Sequence, residues 1–399
     1  MNYDLISLII FFLILFVIFK WKRDKFEVQG KILALYRTKI GIKAMDSLAS
    51  KFPRFWKIIG FLGILTGFAG MILIFYILIN GTYKLITVPS APPTIAPVLP
   101  GVSIPGLPTL SFWHWIIAIF IVATVHEFSH GILARANNVK VKSSGFAFLG
   151  PILAAFVEPD EKELSKKKKF AQLSVFAAGP FSNIVLGLII VLISSITIVP
   201  LVASITEYSG VQVVSVEENL PASEAGLQPN DILLEVNNIK VETTENFTEI
   251  MKTTKPNQKI TITTTNKTFT LTTKEHPQGK PQGYIGIVTS PVKSGIKEDA
   301  KEKYGSFLPA LIIWLSRLIF WLYVINLGVG LFNLLPIGPL DGGRMFFVAA
   351  LGMFKNEKIA KRIFMIITLI GLALIFINLL PFIIKLLKWI IQPFITLFF

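Results

Sequence analysis

A chain of 399 residues that is 53% hydrophobic and only 16% charged, with a mean hydropathy of +0.65, falls outside the ordinary soluble class. Its formal net charge of +15 would raise the question of nucleic acid in a soluble chain. Here Lys and Arg collect between apolar stretches, so the charge reads as membrane topology and no nucleic-acid partner is expected. With no cysteine, disulfides and thiolate ligands are excluded, and any metal must be held by His, Asp or Glu.

Apolar stretches of about 20 residues recur and must be helical, because hydrocarbon leaves backbone groups no partner but each other. Six spans are predicted, at about 5–19, 57–80, 112–135, 170–199, 307–333 and 363–390. The first, "LISLIIFFLILFVIF", has no basic region ahead of it and no small-residue cleavage site behind it, and reads as a retained anchor. Residues 20–57 are rich in Lys and Arg, which assigns them to the cytoplasmic side and the N-terminus to the outside. In span two, Gly60, Gly63, Gly67 and Gly70 permit close helix approach. The uncharged, proline-rich connection that follows fits an extended outer loop.

Span three runs inward and ends at Arg135, Lys140 and Lys142; "EKELSKKKK" ahead of span four repeats the sign. Between them "SSGFAFLGPILAAFV" is apolar, too short to cross as a helix, and broken by Gly145, Gly150 and Pro151. It reads as a re-entrant membrane hairpin. Residues 203–300 change character: polar, threonine-rich and alternating, with a hairpin turning at Asn266 and Lys267. They read as an inserted soluble domain, and since span four leaves the cytoplasm the insert belongs outside. The expected architecture is a polytopic α-helical membrane protein with a re-entrant hairpin and an inserted α+β domain. Its parts are accessory helices and outer loop over 1–111, core over 112–202, insert over 203–300, second core part over 301–352 and a last helix over 353–399.

Span three carries "HEFSH", two of the chain's four histidines and a glutamate. His126 and His130, four residues apart, lie about 40° apart on one helix face, so one metal ion can meet both imidazoles. Glu127 projects about 100° from His126, poorly placed as a ligand but suited to act as general base on a water that the metal activates. Ionisable groups inside a span are costly and mark function by default. A catalytic tetrahedral zinc takes three protein ligands, so one more must come from elsewhere. The later apolar segments offer one carboxylate, Asp341 in "NLLPIGPLDGGR". His126 lies about 21 Å along a helix that starts near the outer surface. Two crossings then separate it from Asp341, so all three ligands share one depth, nearer the cytoplasm. Arg344, one turn after Asp341, is the alternative partner for that carboxylate.

"HEFSH" together with "NLLPIGPLDGG" resembles the site-2 protease family of intramembrane zinc metalloproteases. The resemblance implies Zn2+ on His126, His130 and Asp341, Glu127 as catalytic acid and base, and Asn333 as a polar contact to the scissile backbone or its oxyanion. "AAGPFSNIVLG" is similar to the family's G-P-x-x-N segment, with Gly179, Pro180 and Asn183 expected to shape the site. "SGFAFLGP" matches the position of its membrane hairpin, which implies that Gly145, Phe146, Ala147 and Phe148 hold an unwound substrate as an added strand. The insert resembles a bacterial PDZ domain through "VVSVEENLPASEAGLQPNDILLEVNNIKV", with Tyr284, Ile285, Gly286 and Ile287 of "GYIGI" implied as the edge that takes a peptide or C-terminus.

The implied reaction is hydrolysis of peptide bonds within or near membrane-spanning helices of single-span substrates, at a multi-pass location in the cell membrane. Two other readings compete: a catalytically inactive scaffold whose PDZ domain tethers partners, and a transporter using His and Asp as a proton relay. The first would fill all four metal positions with protein ligands, where three credible ones are found. The second would show paired broken helices in repeated halves, and no repeat is visible.

Overall fold

The computed structural model describes residues 3–21, 26–29, 33–88, 93–102, 104, 107–149, 152–277 and 279–398. In chain order, helix α1 (Tyr3–Trp21) precedes strands β1 (Glu27–Gln29) and β2 (Leu33–Thr38), helix α2 (Ile42–Lys51) and the long helices α3 (Pro53–Thr87) and α4 (Phe112–Ala136). Strands β3 (Val141–Leu149) and β4 (Ile152–Pro159) follow, then α5 (Glu161–Ser165) and α6 (Lys169–Ile196). The insert comprises α7 (Ile198–Ile205), β5 (Thr206–Val216), α8 (Pro221–Glu224), β6 (Ile232–Val236), β7 (Ile239–Lys240), α9 (Thr244–Thr253), β8 (Lys259–Thr264), β9 (Thr268–Thr272), β10 (Ile287–Ile296) and α10 (Glu298–Tyr304). Helices α11 (Phe307–Asn333), α12 (Asp341–Phe354) and α13 (Glu357–Phe398) complete the chain.

By length and composition α3, α4, α6, α11 and α13 can cross a membrane, and α1 contributes a shorter apolar run, Ile6–Ile18. The protein is a multi-pass membrane protein. Contacts divide it into one unit of Met1–Val102, Leu110–Ile193 and Leu318–Phe399, and another of Ser103–Thr109 and Ser194–Arg317.

In the first unit, the glycine row of α3 works as expected. Gly60, Gly63, Gly67 and Gly70 are all buried, and a Cβ on Gly60 or Gly67 would stand 2.9 Å from Ser174 Cβ or 2.5 Å from Met345 Cε. The helix therefore lies against α6 and α12 at a separation that any larger side chain would widen. Helix α4 starts where Ser111 Oγ accepts from the His114 amide at 3.4 Å and stops at Asn137, whose Nδ2 donates to Leu133 O at 2.8 Å.

The expected hairpin is present as antiparallel β3 and β4; Gly150 and Pro151 lie outside the described residues. It belongs to a larger sheet in the order β1-β2-β3-β4, because part of the basic segment 20–57 supplies β1 and β2 rather than loop. This corrects the reading of Gly145, Phe146, Ala147 and Phe148 as a free edge. They pair with Phe156–Leu153 on one side and with Arg37–Ala34 on the other, so β3 is internal and its backbone groups are taken. Gly145 is glycine because a Cβ there would strike the Tyr36 carbonyl of β2. One guanidinium ties the sheet together: Arg37 Nε donates to Glu27 at 2.7 Å and its Nη1 to Ser143 Oγ at 2.9 Å and to Glu158.

The insert is an antiparallel sheet, β10-β5-β6-β8-β9 with β7 on β6, closed over a core that includes Val211, Val213, Leu233, Ile260 and Ile262. The expected hairpin is β8–β9. The expected peptide edge is only partly an edge. Tyr284 exchanges backbone bonds with Lys274, while the carbonyls of Ile285 and Gly286 accept from Ala222 and Glu217. Ile287 alone lies on β10, the terminal strand of the sheet. The Tyr284 hydroxyl donates to Glu217 at 2.9 Å, and burial and that carboxylate raise its pKa above the ordinary phenol value.

Candidate metal centre

Three elements of the first unit meet at one point. Helical spacing puts His126 and His130 on one face of α4, with ring centroids 4.8 Å apart. Asp341 Oδ2 lies 3.0 Å from His126 Nε2 and 3.2 Å from His130 Nε2, and the three ligand atoms lie within 4.8 Å of one another. Both imidazoles are buried, at 8% exposure each.

Asp341 reaches the histidines because of the turn before it. After α11 ends at Asn333, residues 334–340 fold back and α12 begins with Asp341 in its first turn, where a carboxylate is favoured. A Cβ on Gly342 would strike the Leu334 carbonyl and one on Gly343 the Ile337 carbonyl, so the paired glycines permit the close return. Arg344 does not take Asp341: it pairs with Glu161 at 3.5 Å and lies over the Phe176 ring at 5.6 Å.

Helix α6 forms the opposite wall. A Cβ on Gly179 would stand 2.5 Å from Nε2 of both His126 and His130, so only glycine leaves room for the two rings. Pro180, inside the helix, withdraws one helical donor. Asn183, fully buried, lies with Nδ2 3.0 Å from His126 Nδ1. His130 Nδ1 stands 2.7 Å from the Val175 carbonyl, which can only accept, so that nitrogen carries the proton. On a neutral His130 the Nε2 lone pair then faces a carboxylate oxygen 3.2 Å away, a pairing that either a ring proton or a cation held between them would satisfy. Two imidazoles and one carboxylate are a fitting donor set for a divalent metal, and zinc is among those such ligands suit.

A cavity of about 330 Å³ opens on this group. Glu127, Phe156, Val157, Glu161, Asn333 and Arg344 are among the residues lining it. Glu127 Oε2 accepts from the Val157 amide of β4 at 2.9 Å, which fixes the carboxylate beside the ligands. Asn333 donates from Nδ2 to Val329 O at 3.0 Å. The centre therefore brings together His126, Glu127, His130, Asn333, Asp341, Gly179 and Asn183, and not the stretch Gly145–Phe148. The sequence reading missed Val157 and Val175. Their backbone atoms do the work, so no residue type could have marked them.

Comparison with known proteins agrees with this geometry. Residues 114–378 match peptidase family M50. The uncharacterized protein MJ0971 of Methanocaldococcus jannaschii is 34% identical over 370 residues, 90% of this chain and 88% of that protein. The zinc metalloprotease RasP of Shouchella clausii is 24% identical over 267 residues, 56% of this chain and 60% of that protein. The chain thus spans less than two thirds of RasP. A solved PDZ domain of the SdrC-like protein from Listeria monocytogenes aligns with 23% of this chain and 93% of that chain, at 20% identity and a TM-score of 0.19. With the match covering both ligand-bearing segments and the domain between them, the chain belongs to peptidase family M50.

Proposed function

We propose that this protein is an intramembrane zinc metalloprotease that hydrolyses peptide bonds within or near the membrane-spanning helices of single-span proteins. The observation that carries the reading is the convergence of His126 and His130 with a carboxylate 215 residues along the chain from His126, beside a glutamate and a polar cavity. His126, His130 and Asp341 would hold the metal. When bound, zinc supplies a Lewis acid that lowers the pKa of water toward 7 and polarises a carbonyl.

Glu127 takes the proton of the attacking water. Its Oε2 is occupied by the Val157 amide, which leaves Oε1 to receive that proton and return it to the leaving amine. The Asn333 amide has two hydrogens, one given to Val329; the second is the donor for the developing oxyanion. A helical substrate hides its carbonyls in its own hydrogen bonds, so it must be extended to react. The outer edge of β4, whose Val157 amide faces the catalytic glutamate, is the strand onto which an extended segment would add.

Positive segments 20–57 and 162–169 support a cytoplasmic side for the cavity mouth, with the N-terminus and the insert outside. The free edge of β10 suits an extended peptide or C-terminus, which fits a role in filtering substrates.

The deciding experiment reconstitutes the protein in vesicles with a single-span substrate and measures zinc content and cleavage together. About one zinc per chain is expected, with cleavage lost on chelation and restored by added zinc. Full cleavage by zinc-free protein would refute the reading. Zinc binding without cleavage across a substrate panel would favour the scaffold.

A further inference from the structure

The strand that holds Glu127 is itself held from two strands away. Arg37 of β2, Gly145 of β3 and Phe156 of β4 are cross-strand partners in one row, and by strand alternation Glu27, Ser143 and Glu158 share their face. The middle member of the row has no side chain. A Cβ on Gly145 would stand 3.0 Å from Phe156 Cε1, so the Phe156 ring and the Arg37 guanidinium meet over the glycine, 5.7 Å from Cζ to ring centroid. Arg37 Nη1 also donates to Glu158 and to Ser143 Oγ, and that hydroxyl donates to the same Glu158 oxygen at 2.6 Å.

The guanidinium therefore touches residues 156 and 158 and skips the one between them. Val157 points to the opposite face, where a Cβ on Gly131 of α4 would stand 3.2 Å from its Cγ1. Its amide donates to Glu127 Oε2 at 2.9 Å, and among the described residues no other hydrogen bond holds that carboxylate. A side chain held by one backbone amide is placed only as well as the amide is. Strand β4 is terminal in its sheet, so the ladder restrains it from one side, and the contacts with Arg37 fix both neighbours of Val157.

We infer that Arg37 is a positioning residue for Glu127: by fixing Phe156 and Glu158 it fixes the Val157 amide, and through that amide the carboxylate. The inference rests on the role of Glu127 proposed above. Without the guanidinium, Glu158 keeps Ser143, and Glu27 stands on the same face as a second negative group. The Arg37 side chain is 36% exposed, so its ion pairs add little to overall stability. What it supplies is local placement beside the cavity, which Phe156 and Val157 both line.

The test is Arg37→Gln in the full-length protein, with zinc content, unfolding, amide exchange and cleavage measured side by side. Zinc per chain should match wild type, and thermal unfolding should fall within about 4 °C of it. The Val157 amide hydrogen should exchange at least about 10-fold faster, a measurement that needs neither metal nor substrate. On the single-span substrate kcat should fall by about 10–100-fold, the scale of a small misplacement, with KM little changed. In a Glu127→Gln background the same substitution should cost nothing further, because residues that act through one another are not additive; a merely structural role would subtract the same factor in both backgrounds. Lys142→Gln removes another ion pair of the hairpin, to Asp160 at 3.3 Å, and should leave exchange and cleavage at wild-type rates. Arg37→Lys keeps the charge without the fork; it should fall between, and it replaces the glutamine variant in the cycle should that variant fail to fold. Unchanged Val157 exchange, equal losses in the two backgrounds, or an equal loss in Lys142→Gln would overturn the inference. Should wild type cleave nothing, the protease reading fails by itself, and the exchange rates still decide whether Arg37 holds the Val157 amide.

Discussion

Glu127→Gln is expected to bind zinc as the parent does and to lose at least about 100-fold in cleavage, the scale on which a positioned general base contributes. Glutamine has nearly the shape of glutamate, and its carbonyl oxygen can still accept from the Val157 amide that now holds Glu127 Oε2. What disappears is a group able to take a proton from water and return it to the leaving nitrogen. The variant therefore separates chemistry from architecture: zinc by elemental analysis, folding by thermal unfolding, turnover by the single-span substrate in vesicles. Wild-type turnover would remove Glu127 from the mechanism. Loss of zinc along with turnover would mean that the carboxylate is a ligand, contrary to the geometry, in which, among the described residues, His126, His130 and Asp341 group together without it.

Gly179→Ala is expected to strip the centre of metal although it touches no ligand covalently. Its methyl carbon would stand 2.5 Å from both ligand nitrogens, well inside van der Waals contact, so either the rings turn away or α6 retreats. Alanine favours helix by about 0.8–1.0 kcal/mol over glycine, whereas overpacking costs typically about 1–3 kcal/mol, so a net loss of stability should accompany the loss of zinc. An affinity drop of at least about 10–100-fold is the scale set by disturbed support of ligands. Gly328→Ala is the matched control, because a Cβ there meets nothing within 4 Å. Zinc titration of the two variants should differ sharply, and tight zinc binding by Gly179→Ala would show that the helices part without cost.

How much of this was legible beforehand depends on how far along the chain each feature reaches. The pairing of His126 and His130 is local, set by 3.6 residues per turn, and could be read from five letters. Asp341 needed only a count of crossings and a shortage of other carboxylates. The four-stranded sheet could not be read, since Arg37 finds Ser143 and Glu158 more than a hundred positions away and a three-residue strand such as Glu27–Gln29 carries no periodicity. The same gap made β3 look like a free edge. Gly179 was visible as half of a Gly-Pro pair, but the reason for it exists only once α4 lies alongside. Arg344 looked like a partner for Asp341 by spacing and turned to Glu161, a residue far away in sequence.

The cavity that opens on the ligands also bears on supply. Its roughly 330 Å³ is many times the space one water needs, roughly 10–15 Å³ on the same measure, so a cluster of solvent molecules fits there. On the proposed function, the nucleophile would then be at hand, and the transfer of an apolar segment from the hydrocarbon into this solvated chamber would set the pace.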